Sequence, residues 1–188
     1  DVMAIVSDSG GEPIHWLADR ASPLGSVTLE SLARIGSGTP GFEAKSVSLA
    51  LTDAESPGAF RFLSAGSVRP YRWTHDKVRL SRRVVEQPWL PRAAVRSAKR
   101  VALYEAPKLI VPGVAKQLCA AWVPAPCALS VGVIGVVPHR PELRGLLLGV
   151  LNSAEANGWM EETMPGRALT SGYHRFGARQ LRKIPVPD

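Results

Sequence analysis

The sequence predicts an α+β fold. Its core is a mixed or largely antiparallel sheet, with one long amphipathic helix over about 141–161, a short C-terminal helix and a large share of loop. Three observations carry this reading. Lys108–Val111, Gln117–Val123 and Leu129–Val137 are strand-sized runs separated by Pro and Gly turns, and the last is rich in β-branched residues. Leu143, Leu146, Leu147, Val150 and Leu151 recur at helical spacing behind Pro141, a residue suited to a first helical turn. The composition is that of a globular chain, 45% hydrophobic and 21% charged over 188 residues, with no repeat or low-complexity tract.

Residues 1–26 are mixed in character, with Gly10-Gly11, Pro13 and Pro23, and read as a connector. Val27–Ile35 is a short ordered element in which Thr28 is placed to cap a brief helix, with Ser31 where a capping box has Glu. Gly36–Gly41 must turn. Val47, Leu49 and Leu51 alternate with Ser48 and Ala50, which predicts a strand, and Phe60–Leu63 predicts another. Residues 69–100 show little periodicity and are broken by Pro88 and Pro91, although Arg92–Tyr104 has some helical character. Residues 165–172 form a loop, and Ala178–Lys183 a short basic helix stopped by Pro185 and Pro187.

The charge is unevenly placed. The chain carries 23 Lys and Arg against 16 Asp and Glu, a net of +7. Residues 69–100 hold ten basic and two acidic groups, and residues 167–188 hold five and one; the rest of the chain is net acidic. Both basic segments carry aromatics: Tyr71, Trp73 and Trp89 in the first, Tyr173 and Phe176 in the second. Most of the cations are Arg, whose planar fork suits phosphates and guanine edges. A polyanion partner follows, with nucleic acid first in order.

Several chemistries find no support. Gly36-Ser37-Gly38-Thr39-Pro40-Gly41 matches a dinucleotide fingerprint in letters, but Pro40 and a period-2 pattern follow it, so no helix is expected to open there. Ile35 stands where a serine-hydrolase elbow needs Gly. His15, His75, His139 and His174 share no metal spacing with Cys119 or Cys127, so no metal site is expected. Two cysteines read as packed, reduced thiols of a cytoplasmic protein. No apolar run reaches a membrane span; the longest, Ala128–Pro138, is strand-sized.

The order of four segments resembles the TaqI-like C-terminal specificity domain of adenine-specific DNA methyltransferases and type II restriction-modification enzymes. They are LESLARIGSGTPG (29–41), FLSAGSVRPYRW (62–73), YEAPKLIVPGVAKQLCAA (104–121), and the stretch from Leu146 to Pro187 that holds GLLLGVLNS, SGYHRF and QLRKIPVP. The last is the specific one: a leucine-rich helix ending Leu-Asn-Ser, then Gly-Tyr-x-Arg, then a short helix into Ile-Pro-Val-Pro. The resemblance spans roughly residues 27–187.

The resemblance implies a target-recognition domain over 27–188 that binds double-stranded DNA. Residues 1–26 would connect it to its own N-terminal methyltransferase domain, a reading that fits a chain opening Asp1-Val2-Met3. That domain would bind S-adenosylmethionine and grip the flipped adenine with an Asn-Pro-Pro-aromatic motif. The present chain lacks the motif, since Asn152 and Asn157 precede Ser and Gly, so neither catalysis nor a cofactor is expected within it. Related sequences place a basic residue after the Pro-Lys strand, where this chain has Pro112-Gly113. The expected DNA contacts are Arg69, Arg72 and Trp73 from the first basic segment, Lys108 and Lys116 beside the central strands, and Tyr173, His174, Arg175 and Arg179 from the closing signature. Phosphate contacts would supply most of the affinity and its salt dependence, and a few side chains would read base edges. Arg175 is expected to be a phosphate contact or an internal brace. The alternative is a protein-interaction or structural domain within a larger restriction-modification or phage-defence enzyme.

Overall fold

The computed structural model describes residues 25–163 and 168–187. Most of the connector, with His15, and part of the loop at 165–172 lie outside the described residues. In chain order the elements are β1 (Val27–Thr28), α1 (Leu29–Leu32), β2 (Ala33–Ser37), α2 (Ala44–Ala50), β3 (Phe60–Leu63), β4 (Val68–Arg69), β5 (Arg72–Trp73), β6 (Val78–Leu80), β7 (Arg83–Val85), β8 (Trp89–Leu90), α3 (Ala98–Glu105), β9 (Lys108–Pro112), β10 (Val114–Ala115), β11 (Ala121–Val123), β12 (Cys127–Leu129), β13 (Val133–Pro138), α4 (Leu143–Val150), α5 (Ala154–Thr163), β14 (His174–Arg175), α6 (Ala178–Leu181) and β15 (Pro185–Val186). The fold is α+β and loop-rich.

At its centre is an antiparallel four-stranded sheet in the order β11-β9-β13-β2. Beside it lies a three-stranded sheet, β12-β3-β8, whose β12–β3 pairing is parallel. All of β9 is buried, so both faces of the central sheet are covered, and the period-2 alternation decides what each face meets. Leu109, Val111, Ile35, Ile134 and Val136 join Leu147, Leu151, Met160, Leu181 and Ile184 from the helical C-terminal half. Ile110, Val123 and Val133 join Leu103, Tyr104, Phe60, Phe62 and Leu129 on the opposite face. Truncating a core leucine such as Leu147, fully buried, would cost about 2–5 kcal/mol.

Two glycines make the second face possible. Gly36 and Gly135 are cross-strand partners on β2 and β13, and a Cβ on either would stand 3.1 or 2.9 Å from a Leu103 methyl. Their bare backbone lets α3 lie close on the sheet.

Several elements differ from the sequence expectation for local reasons. The Val47–Leu51 alternation is helical: α2 buries Val47 and leaves Leu49 71% exposed, with Leu51 buried one turn on. A helix therefore does follow Gly36–Gly41, through a 3-10 turn at Gly41–Glu43. It makes no phosphate loop, because the Gly38 and Thr39 N–H groups donate to Val133 and Leu129 carbonyls and a Cβ at Gly38 would lie 2.5 Å from Leu129 O. The helix expected over 141–161 is two helices. Ser153 accepts the Ala156 N–H and starts α5 afresh, while Asn152 turns its amide away toward Ala120. Leu129–Val137 likewise divides at Ser130–Gly132, its halves entering different sheets. Thr28 makes no side-chain cap; Ser31 Oγ donates back to its carbonyl at 2.7 Å. The short basic helix expected over Ala178–Lys183 spans Ala178–Leu181, and past it β15 pairs antiparallel with β1 and joins the two ends of the described domain.

Cys119 and Cys127 are free and buried, and burial pushes both thiols up from their ordinary range. Among the described residues no helix is long and apolar enough to cross a membrane, and no cluster of His, Cys, Asp and Glu could hold a metal ion.

Candidate nucleic-acid interface

The closing signature is built against the central sheet. After β9, Gly113 bends the chain so closely past Gly132 that a Cβ would lie 2.6 Å from its carbonyl oxygen. The chain then continues as β10, which pairs antiparallel with β14: Val114 opposite Arg175, Ala115 opposite His174. Phe176 is buried, and its N–H donates to Gly113 O at 2.8 Å. Alternation along the strand turns Phe176 and most of His174 inward and leaves Tyr173 and Arg175 exposed. Tyr173 follows a tight turn with Ser171 and Gly172 at positive φ. Lys116 Nζ stands 6.0 Å from the centre of the Tyr173 ring, at the outer reach of a cation–π contact.

A second wall comes from the break between α4 and α5. Asn152 Oδ1 accepts the Ala120 N–H at 3.0 Å and its Nδ2 donates to Ala120 O at 3.1 Å. Asn157 treats Leu118 in the same manner, at 2.7 and 3.3 Å. These two amides stand in for a neighbouring strand along 118–120. The third wall is the β4–β5 hairpin, whose turn residue Tyr71 has φ 64° and donates its N–H to Ala120 O at 2.8 Å.

Together these walls enclose an open cleft of about 870 Å³, lined by Arg69, Lys116 and Tyr173, with Asn152, Asn157 and the exposed carboxylate of Glu161. Two cations and an aromatic from three distant segments thus converge. Arg72 is the cross-strand partner of Arg69.

The remaining predicted residues lie elsewhere or play other parts. Lys108 is fully buried and donates to Tyr104 O at 2.9 Å and Ala106 O at 2.8 Å, closing the C-terminal end of α3. Every residue of β9 is buried, so neither side of the strand meets solvent, and burial lowers the Lys108 pKa; it does not reach a surface where DNA could lie. Trp73 packs half-buried against the hydrophobic core. His174 Nδ1 is buried without a hydrogen-bond partner among the described residues. Arg179 lines a separate open cleft of about 510 Å³ with Trp159, Thr163, Gln180 and Lys183. The Arg175 side chain is exposed and makes no hydrogen bond or ion pair among the described residues.

Part of the basic excess is structural. Arg69 Nη1 donates to Gly66 O and Val68 O, fixing its own turn. Arg83 caps the C-terminal carbonyls of α2 at Ser48 and Leu49. Arg92 pairs with Glu105, and Arg100 grips Glu43 through two 2.6 Å bonds. The side chains of Arg72, Lys77, Arg79, Arg82 and Lys99 are exposed and make no hydrogen bond or ion pair among the described residues.

Comparison with protein-family models and with characterised proteins returns no match for this chain. The sequence reading missed the two asparagines. Their signal was Asn152 immediately before Ser153, an N-cap residue inside an otherwise helical pattern.

Proposed function

We propose that the chain is a DNA target-recognition domain, the C-terminal part of an adenine-N6-specific DNA methyltransferase of a restriction-modification system. The observation that supports this best is the cleft where Arg69, Lys116 and Tyr173 converge, with Arg72 and Arg175 exposed on its flanking strands. Duplex DNA is a regular line of phosphates, and exposed cations on paired β-strands give it several points of attachment at once. Tyr173 adds an exposed ring and hydroxyl beside Lys116. The methyl-transfer chemistry and S-adenosylmethionine belong, in this reading, to the chain's own N-terminal methyltransferase domain. The present domain holds the duplex while that domain unstacks the target base. Its place is the cytoplasm, where the DNA and the reduced thiols belong.

A second reading, a protein-interaction domain, is favoured by one feature. Phe42 is 87% exposed just before α2, and Leu49 is exposed on the same helix. A surface of this kind suits docking against another domain. The two readings separate in a binding assay: DNA binding falls steeply with added salt, whereas docking through Phe42 and Leu49 survives salt and is lost in Phe42→Ser.

A further inference from the structure

The β6–β7 hairpin is a two-stranded ribbon that carries four cations, Lys77, Arg79, Arg82 and Arg83, within and just before its strands. Its two faces do different things. On the inner face Val78 and Val85 pair and are buried, as is Leu80. On the outer face Arg79 pairs with Val84, both exposed. The ribbon is firmly mounted: Ser48 Oγ donates to Leu80 O at 2.8 Å, Arg83 holds the end of α2, and Asp53 Oδ1 accepts the N–H groups of Glu86 and Gln87.

Its turn is costly. Leu80 and Arg83 close a two-residue loop in which Ser81 has φ 48° and Arg82 φ 68°. Such a loop favours Asn followed by Gly, because side chains resist positive φ. Here an Arg occupies the glycine position, and its exposed side chain makes no hydrogen bond or ion pair among the described residues that would offset the strain. Strain held at a solvent-facing tip, which presents a guanidinium with no partner among the described residues, points outward to a ligand.

We propose that this hairpin lies along the major groove of the duplex, with Arg79 reading a guanine edge, Val84 meeting a thymine methyl and Arg82 gripping a phosphate. The proposal rests on the DNA-binding reading above and assigns base recognition to residues outside the cleft. A two-stranded ribbon fits the major groove. The paired exposed residues Arg79 and Val84 have the two chemistries that distinguish guanine and thymine there. Backbone hydrogen bonds between the two strands fix the spacing of this cross-strand pair, and that spacing sets which neighbouring bases the two side chains meet.

The test starts from the chain of 188 residues and a duplex enriched by it from a randomised pool. Ser81→Asn with Arg82→Gly relaxes the turn. It should raise the melting temperature by a few degrees, weaken duplex binding and lower the salt slope by about one. Arg79→Ala should weaken the enriched duplex about 5- to 150-fold while leaving a scrambled duplex nearly unchanged. Replacing guanine by 7-deazaguanine in the enriched duplex should erase that difference. If the parent chain binds DNA steeply with salt but these variants bind as it does, the hairpin assignment is overturned and the DNA reading stands. If the parent chain binds no DNA, both fall. If these variants lose binding to single-stranded RNA but not to duplex, the hairpin serves another nucleic acid and the proposal is overturned.

Discussion

Asn157 meets Leu118 as a neighbouring strand would: its side-chain oxygen takes the Leu118 N–H and its side-chain nitrogen gives to the Leu118 carbonyl. Asn152 repeats the arrangement at Ala120. An edge segment that leads into β11 thus gains its ladder from two side chains, Asn152 at the break between α4 and α5 and Asn157 within α5, and the cleft gains a wall. Asn157→Ala leaves both Leu118 groups without that partner, so it should cost about 1–3 kcal/mol. In a chain of this size that is roughly 2–4 °C of melting temperature for each kcal/mol. Asn152→Ala should cost as much, and DNA affinity should fall with it because the wall carries the approach to Lys116. Thermal melts beside binding titrations check both.

Gly38 and Gly36 separate packing against backbone from packing against side chain. A methyl at Gly38 would meet Leu129 O at 2.5 Å and Ser130 O at 2.7 Å, neither of which can swing aside. A methyl at Gly36 meets only the end of Leu103 at 3.1 Å. Gly38→Ala should therefore destabilise by about 1–3 kcal/mol or more, and Gly36→Ala by less. Denaturant titration orders the two; equal losses would contradict the tight seat assigned to Gly38.

The Glu43–Arg100 pair gives the fold an acid limit. Its two side chains are 16–18% exposed, and the Arg100 hydrogen bonds hold the Glu43 carboxyl below its ordinary value of 4.5. A carboxyl depressed by folding stabilises above its unfolded pKa, and that contribution is lost as pH falls through the folded pKa. Glu43→Gln should cost about 1–3 kcal/mol at neutral pH, between the ranges for exposed and buried pairs. The gap between the two proteins should close as the solution is taken below pH 4.5. A gap independent of pH would place the loss in packing instead.

Lys108 distinguishes a structural lysine from a DNA contact. Lys108→Met keeps the apolar stem but strips the Tyr104 and Ala106 carbonyls of their donor. Stability should fall by about 1–3 kcal/mol, while DNA affinity and its salt slope stay as they were. A reduced slope would mean that Lys108 reaches phosphate after all.

The sheet strands were legible in sequence where a short, mainly apolar run is bounded by turn residues, as at Lys108–Val111 and Phe60–Leu63. Val47–Leu51 misled because a short helix whose buried apolar residue is Val47, with Leu51 at its end, is indistinguishable over five residues from a strand burying alternate positions. The break at Asn152–Ser153 was hidden because apolar spacing runs up to it and a capping serine looks ordinary inside a helix. The cleft was half legible. Lys116, Arg69 and Tyr173 stood out by charge, Gly and aromatic content. That Lys108 is buried depends on both faces of β9 being covered by distant segments, which no local pattern records. The Ser81-Arg82 turn was invisible for the opposite reason: its residues are not those that such a turn selects.

Duplex binding as a function of salt tests the central claim most directly. Affinity of the chain for duplex DNA should fall by orders of magnitude between ~50 and ~200 mM salt. Lys116→Ala and Arg175→Ala should each weaken all sequences alike and reduce the logarithmic slope by about one, with melting temperatures unchanged. A flat salt dependence, or slopes unmoved by both substitutions, would contradict the account.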